Sequence, residues 1–198
     1  MISSAQVKSL ALSLGFDACG VTRAGPLPEA EERMRLWLRE GCHGEMKYLE
    51  DFEERAKSFW ESFPEAKSII VLGVNYYSKT PPRPPAGEAG NDGQAITGRV
   101  ARYAWGKDYH RVIGKRLEEF REQLNKVAGR AVRAEGCVDT KPLLERSLAQ
   151  RAGLGFIGKQ SQLLSPQYGP WLFLAELVTD LELEPDTPFV GSCGSCTI

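Results

Sequence analysis

At 198 residues the chain has room for one domain with a sizeable core, or for a domain and a fragment of a second. Hydrophobic residues make up 42% and charged residues 26%, and the net charge of −1 sets up no global field to attract nucleic acid, so any such site must be a local patch. No apolar run approaches the roughly 20 residues of a membrane helix, and residues 1–15 lack the basic start and unbroken apolar core of a signal peptide, so a cytoplasmic protein with no membrane partner is expected.

The first predicted element is a helix from Ser3 to Leu14. Ser3 and Gln6 match a capping box, Val7, Leu10, Ala11 and Leu14 share one face, and Gly15 supplies the stop. A short strand over 16–21 follows. Pro28 opens a second helix, with Glu29, Glu31 and Glu32 at its positive end and Gly41 beyond its last turn. A further short helix is expected from Gly44 to the charged residues near Arg55. The run Ile69 to Val74 is continuously apolar, which predicts a strand covered on both faces. Asn75, Tyr76 and Tyr77 close it with groups suited to ligand contact.

Residues 79–98 form the one clear loop, rich in proline and glycine. From Arg99 to Arg116 the chain is basic: Arg99, Arg102, Lys107, Arg111, Lys115 and Arg116 stand against one acid, Asp108, with Tyr103, Trp105, Tyr109 and His110 between them. Arginines among stackable rings suit phosphate and base contacts, and a solvated helix face over 111–127 explains part of the pattern equally well. Residues 131–138 predict a strand that delivers Asp139, and Pro142 opens a helix ending near Gly153. Further strands are predicted at Leu163-Leu164 and from Trp171 to Val178. There is no internal repeat.

Three stretches carry candidate chemistry. Asp139 stands after an apolar run and before a helix, where it can cap that helix. Alternatively it is a general acid, a carboxyl that an apolar pocket keeps protonated near neutral pH. Gly153-x-Gly155-x-x-Gly158-Lys159 lacks the spacing of a P-loop and follows a helix rather than a strand. Its glycines fit either a tight connection or close approach of backbone to a large flat ligand. Five cysteines are present. Cys19, Cys42 and Cys137 read as buried thiols. Cys193-Gly194-Ser195-Cys196 is half a zinc site, a redox pair or the opening of an iron–sulfur run, and it stands at the end of a chain that is expected to be a piece of a longer protein.

Taken together, Arg102-Tyr103-Ala104-x-Gly106-x-Asp108-Tyr109-His110, Val138-Asp139-Thr140-x-Pro142-x-Leu144-Glu145-Arg146, Ala152 to Lys159, Trp171-x-Phe173-Leu174-x-Glu176 and Thr179 to Leu183 resemble the N-terminal part of the epoxyqueuosine reductases. The resemblance covers essentially the whole chain. It implies a mixed α/β fold, a layered sheet with helices on both faces, similar to the corrinoid domain of reductive dehalogenases. It implies a cobalamin-binding catalytic domain over 1–186 and, over 187–198, the start of a ferredoxin-like domain cut within its first [4Fe–4S] motif, so that Cys193 and Cys196 are its first two metal ligands. The implied activity is reduction of epoxyqueuosine to queuosine in tRNA, with cobalamin and two [4Fe–4S] clusters in the whole protein, an external electron donor and a monomeric state.

By the same resemblance Asp139 is the proton donor. Arg55, Arg102, Tyr103, Lys159, Gln160, Ser161 and Leu163 are assigned to the cofactor surface, and Asp108, Tyr109 and His110 to the substrate. After its Gly-Lys pair the family usually has Asn or His, then Thr or Ser; here Gln160-Ser161 stands instead. Two rival readings stay open. One is a cobalamin-dependent reductase of a small halide or epoxide; the other is a non-enzymatic module that binds a corrinoid or RNA.

Overall fold

The computed structural model describes residues 2–79 and 100–197. The loop predicted over 79–98 lies, beyond Lys79, outside the described residues, as does Arg99.

A four-stranded sheet organises the chain. Its strands are β1 (Ala18–Arg23), β2 (Ser68–Asn75), β3 (Ala134–Cys137) and, last in sequence, β6 (Leu172–Thr179), with β4 (Phe156–Ile157) and β5 (Leu163–Leu164) forming a separate two-stranded hairpin. The sheet order is β1-β2-β6-β3 and every pair is antiparallel. The two central strands are each eight residues long and run in full register, Ser68 opposite Thr179 through Asn75 opposite Leu172.

Helices cover both faces, as the continuous apolar run in β2 requires. Successive strand residues point to opposite faces. Ile70 and Leu72 therefore join one core cluster and Ile69 and Val71 the other. On the first face lie α1 (Ser4–Ser13) and α4 (Tyr109–Ala128), which contribute Val7 and Ala11, and Ile113, Leu117, Phe120 and Leu124, at helical spacing. On the second lie α3 (Phe52–Ser62) and α5 (Glu145–Arg151), with Phe59, Leu148 and Ala149. Each fully buried Ile, Leu or Phe contributes roughly 1.5–3 kcal/mol. The remaining helix, α2 (Pro28–Arg39), buries no residue fully. This is the expected mixed α/β sheet with helices on both faces.

The capping box at Ser3 and Gln6 is present in full. Elsewhere the boundaries shift. The segment after Gly44 forms only a 3-10 turn, Lys47–Leu49, and α3 then continues to Ser62, beyond the end expected near Arg55. The β3 strand starts at Ala134, not at residue 131, because Asn125 Oδ1 accepts the Val132 N–H and ties that stretch to the end of α4. The α5 helix starts at Glu145, not at Pro142. Leu143 N–H bonds back to Lys141 O, and this tight turn packs Leu143 against the second core cluster.

The tail runs back across the domain. Asp186 accepts hydrogen bonds from Lys8 and from Val21 N–H, and Phe189 N–H donates to Gln150 O. Gly20 in β1 allows that strand to lie against the end of α5: a Cβ there would meet Ala152 O at 2.1 Å.

Candidate active site

The short β3 strand ends at Cys137, and two residues later Asp139 takes the left-handed conformation with φ of 55°. Aspartate is one of the few residues that tolerates this region, which usually costs an L-residue about 1 kcal/mol. The turn points the side chain outward; it is 50% exposed. Two elements hold it. Tyr109, the first residue of α4, donates its hydroxyl hydrogen to Asp139 Oδ2. Glu145, the first residue of α5, accepts the Asp139 N–H on Oε1 at 2.9 Å. Asp139 does not cap α5, whose N-cap is Leu144 with no side-chain bond.

Tyr109 is part of a stack of rings. Its ring lies 4.2 Å from that of Phe173 at 7°, and Phe173 lies 4.4 Å from Tyr76. On its other side His110 stacks at 4.1 Å. Asp108 caps α4 by accepting the His110 N–H, and its Oδ1 also lies 3.0 Å from His110 Nδ1. This bond to His110 holds the Asp108 carboxyl below the usual carboxylate range. His110 Nε2 is then left 4.0 Å from Asp139 Oδ2. Three of the residues assigned from sequence, Asp108, Tyr109 and His110, are thus gathered around Asp139.

Arg102 and Tyr103 line a neighbouring hollow of about 400 Å³ together with Tyr76, Ser78, Trp105 and Phe173. The Arg102 guanidinium lies 4.6 Å from the Tyr77 ring and within 5.2 Å of Trp105 and Trp171, and it donates to Ser78 O. Tyr103 is exposed. Within the basic stretch the arginines divide: Arg116 ties α4 to Gly15 O, whereas Arg111 is 90% exposed.

Lys159, Gln160 and Ser161 form the exposed turn of the β4–β5 hairpin. Arg146 donates to Ser161 O and fastens this turn to α5. Ser161 also has a positive φ, 65°. The Leu163 side chain is buried in the second core cluster beneath the turn. Arg55 is not brought to this group: its contacts are local, to Asp51 and Tyr48 O.

The glycines before the turn serve the fold. Gly153 adopts φ of 82° after α5, and a Cβ at Gly155 would meet Leu164 O at 2.2 Å. A Cβ at Gly158 would meet Gln160 Oε1 at 2.2 Å. Their close approaches are to protein atoms, as the reading of these glycines as a tight connection expects.

Burial falls elsewhere than expected. Among the described residues no apolar pocket encloses Asp139, which is half exposed, and the buried carboxyls lie beneath its turn. Glu176, in the middle of β6, is fully buried, and among the described residues neither of its oxygens has a hydrogen-bond partner. The Cys137 Sγ, a Glu145 oxygen and a Glu176 oxygen lie within 4.8 Å of one another, and Cys137 also donates to Glu145 Oε1 at 3.5 Å. Burial, then the charge of Asp139, pushes Glu145 up to about 8. Burial and the neighbouring Glu145 push Glu176 well above the carboxylate range, and burial also raises the Cys137 thiol. Burial and the bond to the Asp139 carboxylate keep the Tyr109 phenol protonated.

Sequence reasoning marked Tyr76 as suited to ligand contact, but it gave no role to Phe173 or to the cluster of Cys137, Glu145 and Glu176. One signal was available. Glu176 interrupts the apolar run Leu172-Phe173-Leu174-Ala175-Glu176-Leu177-Val178, and a lone acid in a central strand is costly to bury.

Two kinds of cofactor can be tested against these residues. Cys193 and Cys196 flank a turn closed by Cys196 N–H to Cys193 O, and Cys193 Sγ accepts the Lys159 N–H at 3.3 Å. Lys159 Nζ also donates to Cys196 O. Neighbouring thiols with an N–H donated to sulfur fit ligation of an iron–sulfur cluster, and they supply two of the four thiolates it needs. The hollow beside the ring stack, lined by Tyr76, Arg102, Tyr103, Trp105 and Lys107, offers both apolar rings and hydrogen-bonding groups, the kinds of group that the ring and amide fringe of cobalamin would meet.

Fold and site define an α/β/α domain that presents a carboxylic acid at the end of its sheet, beside an aromatic wall. The family described as Epoxyqueuosine reductase QueG, DUF1730, matches residues 57–140. An epoxyqueuosine reductase of Gloeobacter violaceus is 40% identical over 196 residues, which is 98% of this chain and 57% of that protein. The structure of epoxyqueuosine reductase from Streptococcus thermophilus superimposes with a TM-score of 0.83 at 31% identity, covering 99% of this chain and 50% of that one. A crystal structure of epoxyqueuosine reductase with an epoxyqueuosine-modified tRNA-Tyr stem loop gives 0.78 at 32% identity, covering 97% and 49%. A reductive dehalogenase shares the fold at 20% identity and a TM-score of 0.52, covering 93% of this chain and 20% of that one. The chain belongs to the epoxyqueuosine reductase family, and it spans about half to three-fifths of the length of the relatives it matches.

Proposed function

We propose that this chain is the substrate-reducing domain of an enzyme that converts epoxyqueuosine in tRNA to queuosine, with Asp139 as the proton donor. The observation that carries this reading is the placement of Asp139, held by its main chain and its side chain yet half exposed beside the ring stack. Membership of the family and a relative's structure with a modified tRNA stem loop support the substrate.

Reducing an epoxide to an alkene consumes two electrons and two protons, and the oxygen leaves as water. Opening the ring develops alkoxide charge, which an acid neutralises in the transition state, typically worth 10²–10⁴-fold in rate. Asp139 supplies that proton. Tyr109 fixes the carboxyl, and Phe173 and His110 cover the two faces of its ring, so the stack serves to hold the tyrosine in place. Arg111 and Lys115, on the exposed side of α4, offer cations to phosphates. Bound cobalamin would supply the electron chemistry, with Tyr103, Gln160 and Ser161 as the exposed groups offered to it and Arg102 bracing the aromatic wall. The [4Fe–4S] clusters of the whole protein, begun at Cys193 and Cys196, would feed it from an external donor.

The test uses the whole-length protein. Asp139→Ala is expected to retain cobalamin, read from the visible spectrum, and to bind epoxyqueuosine tRNA, while losing about 10²-fold or more in turnover. Full turnover in that variant would remove Asp139 from the role. If unmodified tRNA fails to compete for binding, a small-molecule substrate is favoured instead.

A further inference from the structure

A half-exposed acid on a turn is useful only if it stays where substrate meets it, so what holds the turn matters. The side chain is held from α4 by Tyr109. The main chain is held from α5: Glu145 Oε1 accepts the Asp139 N–H at 2.9 Å. At the start of α5 a glutamate could have turned toward the helix N-terminus or toward solvent. Instead it reaches back six residues and inward, where Cys137 Sγ donates to the same oxygen and the wholly buried Glu176 lies within 4.8 Å.

Burying a second carboxyl beside a first is costly, and a helix start needs neither of them. The left-handed φ of 55° at Asp139 is also held against its own local preference. Among the described residues, Glu145 is the acceptor through which one α5 side chain contacts both Cys137 and Asp139, the end of β3 and the candidate acid.

We propose that Glu145, backed by Glu176 and Cys137, is a positioning residue that latches the Asp139 turn in its reactive conformation. Its effect on the reaction rests on the reading of Asp139 as proton donor; the latch itself does not. Glu145 touches no substrate. It fixes the main chain of Asp139 so that Tyr109 can fix the carboxyl, and the acid then needs no reorganisation in the transition state. Glutamine at 145 can do the same, because its amide oxygen accepts the Asp139 N–H while its NH₂ group donates to the unpartnered Glu176. Leucine has a similar volume and no acceptor.

The experiment compares Glu145→Gln, Glu145→Leu, Asp139→Ala and the double variant Asp139→Ala/Glu145→Leu in the whole-length enzyme. Steady-state kinetics with epoxyqueuosine tRNA and amide hydrogen exchange over residues 137–144 are the readouts. Glu145→Leu is expected to lower kcat by about tenfold or more with KM nearly unchanged, and Glu145→Gln to restore most of it. The double variant should be no slower than Asp139→Ala alone, because the latch acts only through that acid. Exchange of the Asp139 amide should speed up by about tenfold or more in Glu145→Leu and stay slow in Glu145→Gln. Unchanged exchange in Glu145→Leu, or a loss of turnover that adds to that of Asp139→Ala, would overturn the proposal. If the parent enzyme does not reduce epoxyqueuosine, the functional reading fails, and amide exchange still decides the latch. If Glu145→Leu does not fold, Glu145→Gln decides through exchange: a released Asp139 amide refutes the latch, and a protected one supports it.

Discussion

Replacing Glu176 by Gln tests the buried carboxyl cluster through its effect on stability. In the native protein Glu145 is pushed from 4.5 up to about 8, and Glu176 is raised as well. An acid whose native value lies above its unfolded one binds more protons when folded. Its stabilising contribution is therefore full below about pH 4.5 and is lost as pH rises toward 8. Between pH 5 and pH 8, Glu145 alone accounts for a loss of roughly 3 kcal/mol, and Glu176 adds to it in the same direction. Asp108 is lowered from 3.8 and acts oppositely, but only below that window. Glutamine at 176 removes one ionisation and gives Glu145 a neutral neighbour able to donate a hydrogen bond. The assay is urea unfolding at pH 5, 6, 7 and 8. The parent should lose stability steadily with rising pH, and Glu176→Gln should be flatter while keeping the share that belongs to Glu145. Stability that is constant or increasing from pH 5 to 8 in the parent, or equal slopes in the two proteins, would refute the account of the cluster.

The other predictions concern the ring stack and the hairpin. Tyr109→Phe keeps the stack on Phe173 and removes the hydroxyl from Asp139; turnover should fall about tenfold with a stability change near 1 kcal/mol, and unchanged kcat would show that the hydroxyl does not position the acid. Gly155→Ala runs into the backbone at the end of the β5 strand, Leu164 O at 2.2 Å, Leu164 C at 2.7 Å and Ser165 Cα at 3.0 Å. It should cost about 3 kcal/mol or more in thermal unfolding. Gly114→Ala in α4, where nothing lies within 4 Å, should instead gain about 0.5–1 kcal/mol.

Much of the fold was legible because periodicity and capping are local. Ser3 and Gln6 define the start of α1, and the spacing of Ile113, Leu117, Phe120 and Leu124 defines the buried face of α4. The unbroken run of β2 required cover on both faces, and the sheet has it. What failed was also physical. Pro142 is a good first residue for a helix, but Leu143 has a place in the second core cluster, and the turn that puts it there delays α5 to Glu145. The antiparallel order β1-β2-β6-β3 could not be read, since the pairing of β2 with β6 joins segments about 100 residues apart.

The site divides in the same way. Asp139, Tyr109 and His110 were marked by the family resemblance, since residue type and position alone left Asp139 open between cap and acid, and they meet in space. Their support was hidden because each supporting residue resembles ordinary structure. Phe173 reads as core, Glu145 as the acid of a helix first turn, and Glu176 as one polar residue in a strand. Only the register brings them together. Cys137 lies opposite Glu176 across the β3–β6 pair, which brings a β6 carboxyl under the end of the strand that carries Asp139. A one-residue slip in that pairing would turn Glu176 to the other face and leave Glu145 without its neighbour. The position of the acid is therefore set by strand register as much as by its own turn. Glu176 bears a burial cost that the fold alone would not demand, and the acid it underlies is where that cost has a use.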